Sequence, residues 1–433
     1  MSLVDALRYP RHLRGLRHMT NTISELRISA RGLVVGMFVS RLDRPWIETP
    51  FPLEGLKLKS QGEIEKLQRI CSYVFVDTAR GPAPDLRYIE HSESDLIADA
   101  REQDEVAALR KAQWTIKSDF TEELKTAGVA KGALERGVAE VMADLQDGRH
   151  LDLRKLKEGV DAMVDSVLRN PSAFTWLKEM KRRDSYVYHH ALGCSIWAAS
   201  FGRHLGLEKK ELQTLALGGL LCDVGKIRLP PELLTKQEVL TDREVVLVRQ
   251  HVEHGLEILA QVEGISPKII EIVATHHERH DGSGYPRGLA GSDIPIYGRI
   301  MGLVDSYEAM TTVRPYAKSR APHKAVAELY EHRGGWYQAE LVEQFIQTSG
   351  IYPIGTLVEL TSGEVGVITA VHSLKRLRPS VMVLLDQDKM PLPKFRTLDL
   401  SLDEFDGGGQ LLSVKGGLPA GAYNIDPQEL FLD

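Results

Sequence analysis

Cysteine is scarce in this 433-residue chain: there are three, Cys71, Cys194 and Cys222, odd in number and far apart. That argues against a disulfide framework and makes the cytoplasm the expected compartment. Long apolar runs are missing too. None approaches the ~20 residues that cross a bilayer, so no membrane span is expected. The start of the chain holds Arg8, Arg11, Arg14 and Arg17 without an apolar stretch, which disfavours a secretory leader. Residues 1–23 read as a tail, either basic and amphipathic or disordered. Strong charge of one sign is also absent. A net charge of -6 disfavours a general surface for duplex nucleic acid, and a polyanionic substrate would need a local basic pocket. The length predicts two or three domains.

Residues 24–80 read as a small α+β module. The stretch from Ile28 to Val39 has the β-branched content and glycine breaks of strands, and the stretch from Leu42 to Pro52 is too proline-rich for a central strand. A short helix from Glu63 to Ile70 and a strand from Tyr73 to Asp77 close it. Residues 81–183 begin as a polar linker with Gly81-Pro82-Ala83-Pro84. They continue with Val106, Leu109, Trp114 and Leu124 among many charges, a connecting or dimerising helical segment.

Residues 184–348 are helical and much richer in chemistry. Thr241-Asp242-Arg243-Glu244 matches a capping box opening the helix that carries His251. Ser266-Pro267 opens a helix that ends at His276-His277. Residues 349–433 switch to strand signals and read as a β appendage with a C-terminal tail. The expected fold class is mainly α: an all-helical metal-site domain, a small α+β N-terminal module and a short β C-terminal appendage.

The densest chemistry lies in His276-His277-Glu278-Arg279-His280-Asp281-Gly282-Ser283-Gly284-Tyr285-Pro286, which sets three imidazoles and two carboxylates against a Gly-rich turn. Neutral imidazole is the commonest protein ligand for transition metals. His276 and His277 point roughly 100° apart on a helix, so both reach one site only at a helix end or from a distorted turn, which the Gly282-Ser283-Gly284 that follows permits. Asp305 stands in an otherwise apolar helical stretch, where a carboxylate is costly unless paired or metal-bound. Asp223 and Lys226, three apart, share a helix face: the carboxylate can bridge two metals and the ammonium can meet a phosphate oxygen, although a surface ion pair has the same spacing. With His190 and His251, this nitrogen-and-oxygen set suits a two-metal site for phosphodiester hydrolysis.

The series His190, Asp223, Lys226, His251, His276-His277-Glu278 and Asp305 resembles the HD superfamily of metal phosphohydrolases. The string Asp281 to Pro286, with Arg314-Pro315-Tyr316, resembles its HD-GYP branch, which hydrolyses bacterial cyclic di-GMP to linear pGpG and often on to GMP. The stretch before it looks like a domain of unknown function that often precedes HD-GYP domains. The resemblance implies two divalent metal ions, iron or manganese. The first would be held by His190, position 222, Asp223 and Asp305, and the second by Asp223 as bridge with His251, His276 and His277. A metal-bridging hydroxide would attack phosphorus, with Asp223 and Lys226 as catalytic residues. Lys226, Tyr285, Arg314 and Lys318 would bind cyclic di-GMP.

Two positions depart from that pattern. Cys222 stands where the defining histidine of the His-Asp pair belongs; it is either a thiolate ligand or a buried small apolar residue. Tyr186 stands where some members carry a glutamate that supports a third metal, so at most two are expected. The alternative to catalysis is a catalytically impaired cyclic di-GMP receptor that signals through protein contacts. The N-terminal module is a candidate to sense a ligand or bind a signalling-protein partner, its role left open by the sequence, and the helical segment before the metal-site domain is the candidate homodimer contact.

Overall fold

The protein is described from a computed structural model. It covers residues 25–425 apart from 45, 47–48, 52–54, 79, 89–104, 181–185, 313–319, 373–374, 376, 403–404, 406–408 and 420. The tail at 1–23, most of the polar linker, and Arg314, Tyr316 and Lys318 lie outside the described residues. The chain divides into two compact units, Met1–Glu105 and Val106–Asp433.

In the first unit, strands β1 (Glu25–Ser29), β2 (Phe38–Leu42), β3 (Leu56–Lys57) and β4 (Tyr73–Asp77) form one antiparallel sheet in the order β1-β4-β2-β3. The register pairs Ile28 with Val74 and Leu26 with Val76, which puts branched side chains opposite one another on a single face. Helix α1 (Gln61–Ile70) starts two residues before the expected Glu63 because Ser60 caps it. The Ser60 side chain accepts from the Glu63 amide while the Glu63 carboxylate accepts from the Ser60 amide. Ile64 and Leu67, one turn apart, bury on the sheet with Ile28, Val39 and Val74.

The second unit opens with α2 (Phe120–Gln146), α3 (Arg154–Arg169) and α4 (Pro171–Met180). Leu134, Val141, Met163 and Phe174 share one core with Phe201, Leu215 and Ile300 of the helices that follow. Those are α5 (Tyr186–Leu205), α6 (Lys209–Leu221), α7 (Pro231–Thr235), α8 (Asp242–Arg249), α9 (His251–Leu259), α10 (Pro267–Thr275), α11 (Ile296–Thr311), α12 (Pro322–Glu331) and α13 (Ala339–Ser349). Trp197 of α5 meets Tyr307 of α11 edge-on at 5.0 Å, and Tyr307 meets Phe345 of α13 at 5.1 Å. Each such pair adds about 0.5–1.5 kcal/mol beyond its buried area. Together they lock α5 against α11, the two helices that carry His190 and Asp305.

The strand-rich tail forms an antiparallel sheet of β5 (Leu357–Leu360), β6 (Val365–Ala370), β7 (Ser380–Leu385), β8 (Pro391–Asp399) and β9 (Val414–Gly417), in the order β8-β7-β6-β5-β9. Trp176 of α4 is buried among Ile354, Val358 and Val367, so α4 belongs to the helical core through Phe174 and to the sheet core through Trp176. Among the described residues, no helix is long and apolar enough to cross a membrane.

Candidate metal centre

Five segments deliver the side chains. Helix α5 presents His190, and its neighbour α6 ends at Leu221 with Cys222 as C-cap. Asp223 then opens a short 3-10 turn, Val224–Arg228, whose Lys226 amide donates to the Asp223 carbonyl at 3.0 Å. Asp223 and Lys226 therefore flank a tight turn rather than share an α-helical face, and the Lys226 ammonium reaches the Asp223 carboxylate at 2.5 Å. Gly225 makes this possible: a Cβ there would run into the His251 carbonyl oxygen and the Gly255 amide.

His251 does not sit in the middle of the helix opened at Thr241. The capping box forms as expected, but α8 ends at Arg249 and His251 is the first residue of α9. Helix α10 ends as expected, with His276 at its C-cap, so His276 and His277 turn out of the helix and escape the divergence of a regular turn. Helix α11 comes close enough for Asp305 to reach the site. A Cβ at its Gly302 would lie 2.8 Å from the His276 carbonyl oxygen.

The donor atoms converge in two groups. Asp223 gathers with His251, His276 and His277, and His190 gathers with Cys194 and Asp305, each set of ligand atoms lying within 4.8 Å of one another. Asp223 faces both. Its Oδ1 lies 3.4 Å from His251 Nε2 and 4.0 Å from His276 Nε2, while its Oδ2 lies 3.4 Å from His190 Nε2. His190 Nε2 and Asp305 Oδ1 are hydrogen-bonded at 2.8 Å, and Asp305 Oδ2 lies 3.7 Å from His277 Nδ1. Cys222 joins neither group; its thiol donates to the Gly219 carbonyl at 3.3 Å.

These residues fit divalent cations. His251 Nδ1 donates to the Val248 carbonyl at 2.7 Å and His276 Nδ1 to the Val273 carbonyl at 2.9 Å. Each bond fixes the tautomer that leaves a lone pair on Nε2, the arrangement metal-ligating histidines adopt. Both Nε2 atoms and Asp223 Oδ1 are buried without a hydrogen-bond partner. Three orphaned acceptors aimed at one point are expensive unless a cation satisfies them.

The electrostatics agree. Burial lowers the basicity of His251 to about 4, and of His276 and His277 as well, keeping the imidazoles neutral. Burial opposes ionisation of Asp223, but Lys226, His251 and His190 outweigh it and hold the carboxyl below the usual range. Asp305 is likewise held down, its burial overcome by the hydrogen bond from His190 and by His277.

Glu278, part of the same motif, has a different job. It is 4% exposed, and its two oxygens accept from the Arg287 and Leu289 amides at 2.8 and 3.0 Å, folding the Gly-rich loop back on itself. The loop sets the Tyr285 ring against His277, with centroids 4.6 Å apart and planes 27° apart. The Arg249 guanidinium covers Tyr285 at 4.6 Å. Sequence reasoning missed Arg249, Cys194 and the clamping role of Glu278. The four-residue spacing of His190 and Cys194 was the one usable signal among them.

The HD domain family model matches residues 172–341, a span that contains every residue of both clusters. A domain of unknown function matches residues 25–156. The chain is 30% identical, over 409 residues, to a cyclic di-GMP phosphodiesterase of Pseudomonas aeruginosa, covering 92% of this chain and 93% of that protein. It is 34% identical over 166 residues to a cyclic di-GMP phosphodiesterase of Thermotoga maritima, covering 38% of this chain and 45% of that protein. It is also 31% identical over 194 residues to a 3'3'-cGAMP-specific phosphodiesterase of Vibrio cholerae, covering 44% of this chain and 37% of that protein.

Proposed function

The chain belongs to the HD-GYP family of HD-domain phosphohydrolases, and from that premise we propose that it hydrolyses cyclic di-GMP to pGpG, and onward to GMP, with two divalent metal ions. The observation that carries the reading is the convergence of His251 Nε2, His276 Nε2 and Asp223 Oδ1 as buried atoms without partners. Iron or manganese, bound there, supplies an activated water at neutral pH and neutralises charge building on the phosphoryl oxygens.

The side chains divide the remaining work. Asp223, ionised and offering one oxygen to each cluster, would be the ligand shared by both ions. His190 and Asp305 complete one side, and His251, His276 and His277 the other. Lys226, tethered to Asp223 and about one-sixth exposed, swings its ammonium to a non-bridging oxygen of the scissile phosphate. There it stabilises charge that is largest in the transition state. Tyr285 stays a neutral phenol, since burial raises its pKa, and with the Gly-rich turn shapes the nucleotide pocket beside His277. Arg314 and Lys318 remain candidates for the second phosphate.

The receptor alternative is the weaker one. Its support was Cys222, yet His251, His276 and His277 keep the neutral imidazoles, and Asp223 and Asp305 the ionised carboxylates, that catalysis needs. Turnover of cyclic di-GMP by metal-loaded protein, with products separated by chromatography, is the test. Binding without hydrolysis at full metal occupancy would refute it.

A further inference from the structure

We propose that Cys194 is a metal ligand, its Sγ joining His190 and Asp305 on the side of the site where position 222 lacks an imidazole. The proposal rests on the two-cation reading above and deepens it. His190 and Cys194 are four apart on α5, so both side chains project from one helix face. Cys194 Sγ lies 3.6 Å from His190 Nε2, and both residues are buried. A tetrahedral ion with bonds of about 2.0 Å to nitrogen and about 2.3 Å to sulfur separates those donors by about 3.5 Å, close to the distance found. Asp305 Oδ1, hydrogen-bonded to the same imidazole nitrogen at 2.8 Å, is the third donor once that bond opens to the ~3.3 Å that two donors about 2.0 Å from one ion require.

The packing shows why the sulfur comes from α5 rather than from position 222. Helices α5 and α6 touch backbone to backbone: a Cβ at Gly219 would lie 2.8 Å from the Cys194 carbonyl carbon and the Ser195 amide nitrogen. Gly193 likewise leaves room for the Glu308 carboxylate of α11, which lets α5 bring Cys194 in beside Asp305. Cys222, one turn beyond Gly219, turns its thiol back to the Gly219 carbonyl at 3.3 Å. Binding replaces the Cys194 S–H bond with a sulfur–metal bond, and the proton passes to solvent. A sulfur donor makes this side softer than an all-nitrogen-and-oxygen site and favours zinc or ferrous iron over manganese there.

The test uses the full chain, stripped of metal and titrated with cobalt(II) without oxygen. Thiolate-to-cobalt charge transfer absorbs in the near ultraviolet, while the visible ligand-field bands report cobalt with any donors. The expected result is a charge-transfer band in the wild type and in Cys222→Ser, and its loss in Cys194→Ser with ligand-field bands retained. A band that survives Cys194→Ser and vanishes in Cys222→Ser overturns the proposal. So does a wild type with ligand-field bands and no charge transfer. A protein that takes up no cobalt at all refutes the two-cation reading itself. Should Cys194→Ser fail to fold, X-ray absorption on zinc-loaded Cys222→Ser decides. A sulfur scatterer at about 2.3 Å supports the assignment, and nitrogen and oxygen scatterers alone overturn it.

Discussion

Replacing Glu278 with glutamine keeps the size of the side chain and removes one of its two acceptor oxygens. In the wild-type protein those oxygens take the Arg287 and Leu289 amides, at 2.8 and 3.0 Å, in a site only 4% exposed. The variant leaves one amide facing an NH2 group. A hydrogen bond to a charged acceptor contributes about 1.5–3 kcal/mol net, and an orphaned buried donor costs a similar amount. The closed form of the Gly-rich loop should therefore lose about 2–3 kcal/mol relative to open forms. Tyr285 rides on that loop, so substrate binding bears the cost. If all of it falls there, KM rises roughly 30- to 150-fold. Metal content stays at the wild-type level, because Glu278 belongs to neither donor cluster. Steady-state hydrolysis, metal analysis and hydrogen exchange at the Arg287 and Leu289 amides make the assay. Loss of metal with unchanged amide protection would refute the reasoning, since Glu278 would then be a ligand and not a clamp.

Lys226→Ala should lower kcat about 100-fold, the scale expected for removing one charge-stabilising donor. Metal occupancy should change little, which metal analysis beside the rate measurement checks. Gly225→Ala forces its new methyl group into the His251 carbonyl and should destabilise the protein by about 1–3 kcal/mol, read from urea unfolding, while weakening metal binding. The metal-free protein should lose stability as pH falls. His251 has a folded pKa of about 4 against an ordinary 6.5, so between those values the unfolded chain binds more protons than the folded one. Its contribution is fully present above about pH 6.5 and is lost as pH falls toward 4, up to about 3 kcal/mol in all. Urea midpoints across that range, with His251→Gln as the flattened control, measure it.

The candidate ligands were legible because helix punctuation and buried polarity leave marks in a sequence. Ser266-Pro267 fixed where α10 begins, and the glycines after His277 explained how adjacent histidines leave a helix together. Asp305 stood out as a carboxylate in an apolar stretch. Other features left no such mark. Gln250 takes an ordinary right-handed conformation (φ -64°, ψ -14°), so the break that makes His251 a first residue has no residue signature. Cys194 lies among Gly193, Ser195, Ile196 and Trp197, where a thiol reads as core. Strand β8 is mostly exposed and begins Pro391-Leu392-Pro393, which hides the alternation a strand would show. The helices of the 101–183 stretch read as a separate segment because their apolar positions gave no indication of which core they fill.

The most direct test is cyclic di-GMP hydrolysis by the purified wild-type protein, metal-analysed and supplied anaerobically with manganese or ferrous iron. The account predicts conversion to pGpG with about two metals per chain, and its loss on chelation or in His276→Ala. Tight cyclic di-GMP binding with both metals in place and no product would contradict it, and would identify the chain as a receptor.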